Sequence, residues 1–184
     1  MRTIVLRNGL LAGAIMATVF ALTVPVHDRL GYYWGMVVGY TSMVAAFMLI
    51  WFGVKTYGHE VGGPVGFWRA LGLGMGIALV ASVVYALAWE VIYRTAMSDF
   101  LVKYQAYALE KARAAGATAA ELSAQRAEME AFAVQYRHPL FRAAVTMMEP
   151  MPVGLLISLV TAFVHRRREA SAPTLATSST ASAA

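Results

Sequence analysis

The chain has 184 residues, of which 59% are hydrophobic and 14% charged, with no cysteine and a formal net charge of +5. Soluble domains carry about 25% charged and about 45–50% apolar residues, so this composition excludes an ordinary soluble domain. It also excludes a disordered chain, which needs low hydrophobicity, and a disulfide scaffold, which needs cysteines. The composition is that of an integral membrane protein.

Four stretches of the chain lack Lys, Arg and Asp and are long enough to cross a bilayer. They are 8–26, 30–54, 70–89 and 143–164, of which the last is interrupted by Glu149. A helix crosses a hydrocarbon core of about 30 Å with about 20 residues, and none of the stretches alternates as barrel strands do. We therefore predict an all-α fold, an integral membrane four-helix bundle with transmembrane helices at about 5–26, 33–54, 68–93 and 143–165.

The first stretch has a second interpretation, as a cleaved signal peptide. Arg2 and Arg7 precede it, and Val19-Phe20-Ala21 places small residues at the spacing of a cleavage site. The stretch is longer than the usual apolar region of a signal peptide, which favours a retained helix.

The distribution of Lys and Arg predicts how the helices are oriented. Basic residues cluster at one end of the predicted bundle: Arg2, Arg7, Lys55, Arg69, Arg166, Arg167 and Arg168. Because cytoplasmic loops carry the excess of Lys and Arg, we expect both termini in the cytoplasm. Topology thus explains the positive net charge, and we expect no nucleic-acid partner.

Residues 98–137, between the third and fourth helices, have the composition of soluble helices. Thr118 and Glu121 have the spacing of a capping box, Gly116 precedes them as a helix stop, and His138-Pro139 ends the pattern. We predict an extramembrane helical hairpin, with helices at about 98–115 and 118–137. Its apolar faces either pack on each other, as an extramembrane extension of the bundle, or contact the lipid surface, a protein partner or a second copy of the chain.

Residues 1–168 are predicted to form a single membrane domain. The remaining segment, 169–184, consists mostly of Ala, Ser and Thr. Such a segment buries too little apolar surface to fold, and we predict a disordered tail.

Small residues recur at four-residue spacing along each predicted transmembrane helix. The rows are Gly9, Gly13, Ala17 and Ala21; Gly31, Gly35 and Gly39; Gly66, Ala70, Gly74, Ala78, Ser82 and Ala86; and Gly154, Ser158 and Ala162. Small residues let helix backbones approach closely in lipid. We predict that the rows pack within the chain, with contacts in a homo-oligomer as the alternative.

Glu90 and Glu149 are the carboxylates nearest to the membrane interior, and Arg94 and Arg142 are within reach of them along their helices. One hypothesis makes these four residues a polar site for a cation, a proton or a small basic ligand. The other pairs Glu90 with Arg94 and makes Glu149 the start of a helix before Pro150, where an acidic side chain suits the helix dipole. Since a residue before proline disfavours helical angles, we also expect a break at Glu149.

Nothing else in the sequence indicates catalysis, a cofactor or a metal. The four histidines, His27, His59, His138 and His165, lie in separate segments without ligand spacing. Met147, Met148 and Met151 are as well suited to apolar packing as to copper(I). The glycines at 72–76 lack the Lys-Ser/Thr of a phosphate loop. We therefore predict a protein that is not an enzyme and has no cofactor and no metal.

Several stretches together resemble a bacterial membrane protein family catalogued as domain of unknown function DUF4199. They are 39–43 (GYTSM), 53–57 (GVKTY), 89–93 (WEVIY), 138–142 (HPLFR) and 149–154 (EPMPVG). The family pattern leads us to expect a basic residue after Tyr57, where this chain has Gly58. The resemblance implies a bacterial integral membrane protein and brings no activity, substrate or cofactor.

Two functional hypotheses follow. The first is a non-enzymatic inner-membrane protein with a structural or interaction role, whose hairpin contacts a partner or the lipid surface. The alternative is a small transporter or channel subunit that uses Glu90 and Glu149 as an intramembrane polar site. Four helices are few for a complete transporter, so the alternative requires an oligomer.

Overall fold

The protein is all-α, as predicted. The computed structural model describes residues 1–170, without the side chains of His27, Asp28 and 167–170, and this part of the chain contains no strand. The helices are α1 (Arg2–Thr23), a 3₁₀ turn (Val24–Val26), α2 (His27–Glu60), α3 (Phe67–Thr95), α4 (Phe100–Ala114), α5 (Ala119–Tyr136), α6 (Pro139–Met148) and α7 (Pro150–Ala170). Of the predicted tail 169–184, the part from 171 onward lies outside the described residues.

Among the described residues, four helical segments are long and apolar enough to cross a membrane: Arg2–Val26, Arg29–Glu60, Phe67–Thr95 and Pro139–Arg166. The chain is therefore a membrane protein. Helix α3 contacts α1, α2, α6 and α7, so it occupies the centre of the bundle. The apolar core around α3 consists of fully buried side chains that include Met16, Met43, Phe47, Ile50, Leu73 and Ile77.

Close helix contacts form along three of the small-residue rows. A Cβ atom added to Gly154 would lie 2.6 Å from Cβ of Ala78, and one added to Gly13 would lie 2.5 Å from Cβ of Val84. The row on α2 differs, because nothing lies within 4 Å of a Cβ placed on Gly39. The rows of α1, α3 and α7 thus bring helix backbones together within the chain.

Helix α2 is interrupted at Gly31, which has φ 71° and ψ 166°. This left-handed φ is open to glycine and strained for other residues, so α2 turns here before its long regular part begins. The regular part after Gly31 agrees with the predicted start near residue 33.

The fourth spanning segment starts at Pro139, earlier than the predicted 143. Proline suits the first turn of a helix, and Arg142, whose charge ended the uncharged stretch in the sequence, lies inside the helix. The expected break at Glu149 takes a milder form. Helices α6 and α7 are separated there, but Glu149 keeps right-handed helical angles of φ −71° and ψ −53°.

Pro150 changes the hydrogen bonding at this point and leaves the backbone conformation helical. Proline has no N–H, so it cannot donate to the carbonyl of Thr146 as a residue four positions later normally does. That carbonyl accepts instead from the amide of Glu149, at 3.4 Å. The two helices therefore act as one spanning segment.

The hairpin consists of α4 and α5, and the signals that predicted it are present in the structure. Gly116 follows α4 with φ 89°. Thr118 accepts a hydrogen bond from the amide of Glu121, and the Glu121 carboxylate accepts one from the amide of Thr118. The predicted capping box is thus confirmed, and it sets where α5 begins.

We expect Thr118→Ala to loosen the first turn of α5, since it removes the side chain that caps the helix. Amide hydrogen exchange in the first turn of α5 should become faster. Thr118→Ser keeps the hydroxyl and should exchange like the parent protein. Equal protection in the parent and in Thr118→Ala would mean that the capping box does not stabilise α5.

The same capping box should weaken in acid. The hydrogen bond from the amide of Thr118 holds the pKa of the Glu121 carboxyl below its ordinary value. Because the pKa of Glu121 is lower in the folded state, stabilisation by its ionised carboxylate is complete above the ordinary pKa. It is lost as pH falls through the lower pKa of the folded state. Protection factors in the first turn of α5 should therefore fall in acid, and Glu121→Gln should remove this pH dependence.

Candidate functional site

The candidate site lies at the hairpin end of the bundle, which we define as the end where α3 stops and α6 starts. A second apolar cluster covers this end, and we call it the junction cluster. Its buried members are Trp89, Met97 and Tyr136, from α3, the turn after it and α5. The rings of Phe20 and Phe100 lie 5.3 and 5.2 Å from that of Trp89. The junction cluster thus joins the bundle to both helices of the hairpin.

Glu90 and Arg142 form a bidentate ion pair beside the junction cluster. Arg142 donates from Nε to Oε2 and from Nη2 to Oε1 of Glu90, both at 2.7 Å. Arg142 is 4% exposed, and the side chain of Glu90 is 22% exposed. Two parallel charge-assisted hydrogen bonds give such a pair a fixed geometry. The pair ties α3 to α6.

Arg142 also binds the hairpin. Its Nη1 donates to the backbone carbonyl of Tyr136, the last residue of α5, at 2.8 Å. The carbonyls at a helix C-terminus lack partners within the helix and carry partial negative charge, so they suit a guanidinium. The Cζ atom of Arg142 lies 4.4 Å from the ring centroid of Tyr93. One guanidinium therefore contacts α3, the end of α5 and an aromatic ring.

A hydrogen bond between two aromatic side chains adds to this junction. Trp89 Nε1 donates to the hydroxyl of Tyr136 at 2.7 Å, and both residues are buried. Burial is the main cause that raises the pKa of the Tyr136 phenol above its ordinary value. Tyr136 therefore stays neutral in the physiological range.

Arg94 is the outer partner of Glu90. It donates from Nε to Oε1 at 2.6 Å, and its side chain is 62% exposed. Exposed pairs of this i,i+4 type contribute about 0.3–0.5 kcal/mol. The predicted Glu90–Arg94 pair is present, but the buried Arg142 makes the stronger contact.

Glu149 lies apart from this ion pair and has a different partner. The hydroxyl of Tyr85 donates to Oε2 of Glu149 at 3.4 Å. Glu149 is exposed on the bundle, as are Met148 and Leu156 of the same spanning segment. Of the four residues in the predicted polar site, the structure brings together Glu90, Arg94 and Arg142 and gives Glu149 to Tyr85.

The sequence analysis did not identify Tyr136, Tyr93 and Trp89 as partners of the charged residues. An aromatic residue directly precedes each charged residue of α3 here, Trp89 before Glu90 and Tyr93 before Arg94. This pattern could have indicated aromatic partners for the charged side chains. No signal in the sequence indicates the contact of the Tyr136 carbonyl with Arg142, because every residue type has a backbone carbonyl. Every side-chain nitrogen of Arg142 donates a hydrogen bond, so the site can fix α3, α5 and α6 relative to one another.

Two histidines from distant segments meet at the opposite end of the bundle. His59 and His165 line a cavity of about 400 Å³ together with Lys55. Nδ1 of His165 lies 2.9 Å from the carbonyl of Thr161. Among the described side chains, no group of three or more His, Cys, Asp or Glu is arranged to hold a metal ion.

The family model described as "Protein of unknown function (DUF4199)" matches residues 7–167. The match includes the hairpin, Glu90 and Arg142. No curated protein and no solved structure gave a significant match.

Proposed function

The chain belongs to the DUF4199 family of proteins of unknown function, and from the geometry of its hairpin end we propose that it is a non-enzymatic membrane protein that holds a helical hairpin firmly at the membrane boundary as an interaction element. The observation that carries this proposal is the side chain of Arg142. It links α3 through Glu90 and α5 through the carbonyl of Tyr136. A hairpin that is only a connection between two spans needs no such buried link.

The surface of the hairpin supports an interaction role. Both helices keep large apolar side chains in solvent, including Val102 and Tyr104 on α4 and Phe132 and Val134 on α5. Helix α4 has no buried residue at all. Amphipathic helices normally bury their apolar stripe, so a hairpin that is held in place but largely uncovered is suited to contact something else.

We further propose that this protein lies in a bacterial inner membrane with the hairpin outside and both termini in the cytoplasm. Lys55 and Arg69 lie at the bundle end opposite the hairpin, together with the start of α1. Reporter fusions after Arg168 and near Gly116 should therefore report opposite sides of the membrane. The same side from both would refute this topology.

The interaction role is tested by purifying the full chain from native membranes in polymer-bounded discs and identifying lipids and proteins together. We expect a component that is enriched over the bulk membrane with the parent chain. Arg142→Met should reduce that component, because α5 loses its link to Glu90 and keeps only the contacts of the junction cluster. Arg126→Gln removes an exposed hairpin charge and serves as the control that retains it. The same composition from all three would contradict the proposal.

Glu149 favours a second candidate function, a subunit of an oligomeric transporter or channel. A carboxylate that faces lipid costs at least ~2.5 kcal/mol on insertion scales, and carboxylates of proton or ion pathways face a protein interior, so in this function a second copy of the chain covers Glu149. The exposed position of Glu149 on a spanning segment is the observation in its favour. Glu90 does not share this feature, because two arginines neutralise it.

This second function predicts that Glu149 is required for flux. The full chain in vesicles with an internal pH-sensitive dye should dissipate a proton gradient faster than protein-free vesicles. Glu149→Gln should abolish the difference, whereas Glu130→Gln, which changes an exposed carboxylate of the hairpin, should keep it. No flux above that of empty vesicles, with protons or with monovalent cations, would exclude this function.

A further inference from the structure

The two helices of the hairpin enclose a cavity where a core would be expected. The cavity measures about 390 Å³ and opens to the outside. Its apolar lining comes from α4, α5 and α6: Phe100, Leu101, Tyr104, Met129, Phe132, Ala133, Tyr136 and Val145. No residue of α4 is buried, and Tyr136 is the buried residue of α5. The apolar stripes of the hairpin therefore line a space between them.

The cavity is too small for a protein partner. A helix with its side chains is about 10–12 Å across, and a stable protein interface uses about 20–30 residues on each side. This cavity has ten lining residues. Its volume falls within the range of about 300–1,000 Å³ that is typical of small-molecule sites. A flexible apolar chain thinner than a helix fits it better.

The position of the cavity points to the bilayer as the source of that chain. Val145 belongs to the fourth spanning segment, and Phe100 is the first residue of α4, shortly after the third segment ends at Thr95. An acyl chain can therefore pass from the hydrocarbon region into the cavity along apolar side chains. The polar lining residues, Gln105 and Glu128, are those farthest along α4 and α5 from the spans. They suit the polar head of an amphiphile.

Electrostatic attraction to an anionic membrane surface is a weaker explanation for lipid contact by the hairpin. Its charges balance: Lys103, Lys111, Arg113, Arg126 and Arg137 against Asp99, Glu110, Glu121, Glu128 and Glu130. Helices that lie on membranes by charge are rich in Lys and Arg on their polar face. Contact with lipid by this hairpin therefore depends on its apolar cavity.

We propose that the cavity between α4 and α5 binds one acyl chain of a membrane lipid, which supplies the apolar core that the hairpin lacks. This inference rests on the proposed role of the hairpin as an interaction element and names what it binds. The bound chain would contact Phe100, Met129, Phe132 and Val145. Binding should stiffen α4 as well as α5, because α4 gains a buried face.

The test is photolabelling of the full chain in vesicles that contain a phosphatidylethanolamine with a diazirine in its acyl chain. Mass spectrometry should find label on the cavity side of α4 and α5. Ala133→Trp places a large ring in the cavity, and Ala131→Trp adds the same ring at an exposed position outside the lining. Overfilling an apolar space typically costs between about fivefold and about 150-fold in binding, so label on the hairpin should fall at least about fivefold in Ala133→Trp only.

Hydrogen exchange in α5 shows whether Ala133→Trp is still folded. Retained protection with lost label supports the proposal, whereas label on the spans alone or equal label in both variants overturns it. If Ala133→Trp loses protection, Met129→Trp replaces it under the same criteria. A photocrosslinker at Met129 that gives a protein adduct also overturns it. If the cavity is not labelled but native discs still show an Arg142-dependent component, only the acyl-chain proposal fails. If the discs show no such component either, the proposed interaction role fails as well.

Discussion

Arg142→Met is expected to destabilise the protein by about 1.5–3 kcal/mol, the usual contribution of hydrogen bonds to a charged group. Breaking a fully buried ion pair costs about 3–5 kcal/mol, but the side chain of Glu90 is 22% exposed. Glu90 would keep only the exposed Arg94, and the carbonyl of Tyr136 would lose its donor. The measurement is the free energy of unfolding in mixed micelles, followed by tryptophan fluorescence. Trp89, one of four tryptophans, contributes a signal from this site because it donates a hydrogen bond to Tyr136.

Two further variants distinguish the loss of the Arg142 contact from the loss of a positive charge as such. Arg94→Gln removes the exposed partner of Glu90 and should cost no more than about 1 kcal/mol. Combining Glu90→Leu with Arg142→Met removes both charges of the pair and should recover much of the loss, because an apolar pair does not need to be neutralised. Similar losses from Arg94→Gln and Arg142→Met would contradict the assigned roles.

Gly154→Ala is expected to disturb the contact between α3 and α7. The added Cβ would lie 2.6 Å from Cβ of Ala78, and neither atom can rotate away from its backbone. The helices must separate, and overpacking of this kind typically costs about 1–3 kcal/mol. Gly13→Ala should act in the same way between α1 and α3, because Cβ of Val84 is 2.5 Å away.

Gly72→Ala is the matched control for these substitutions. It also changes a helical glycine in the bundle, but nothing lies within 4 Å of the added Cβ. Alanine favours a helix over glycine by roughly 0.5–1 kcal/mol, so this variant should be as stable as the parent or slightly more stable. The thermal midpoint in detergent checks all three variants. A loss for Gly72→Ala equal to that for Gly154→Ala would argue against backbone contact as the cause.

The elements were predictable from sequence because their signals are local. The uncharged stretches marked the spans, and Thr118, Glu121 and Gly116 marked the start of α5 and the end of α4 within a few residues of chain. Hydrophobic length and capping depend on neighbours along the chain, so no knowledge of the tertiary structure was needed.

The partners of the charged residues were less predictable because they depend on contacts between distant segments. Glu90 and Arg142 are far apart in the chain, and the sequence offers Arg94, one turn away, as an obvious partner for Glu90. The burial of Arg142 follows from the position of α5, whose last carbonyl it binds. Glu149 follows Arg142 by seven residues and lies near Tyr85, which precedes Glu90 by five residues on α3.

The measurement that tests the central claim most directly is the distance between the hairpin and the bundle in lipid vesicles. The chain has no cysteine, so spin labels can be attached at Ala127 of α5 and Leu87 of α3, both exposed. A hairpin held by Arg142 should give one narrow distance distribution, which broadens in Arg142→Met and stays narrow in Arg94→Gln. A broad distribution in the parent chain, or one that Arg142→Met leaves unchanged, would contradict the claim that this arginine holds the hairpin in place.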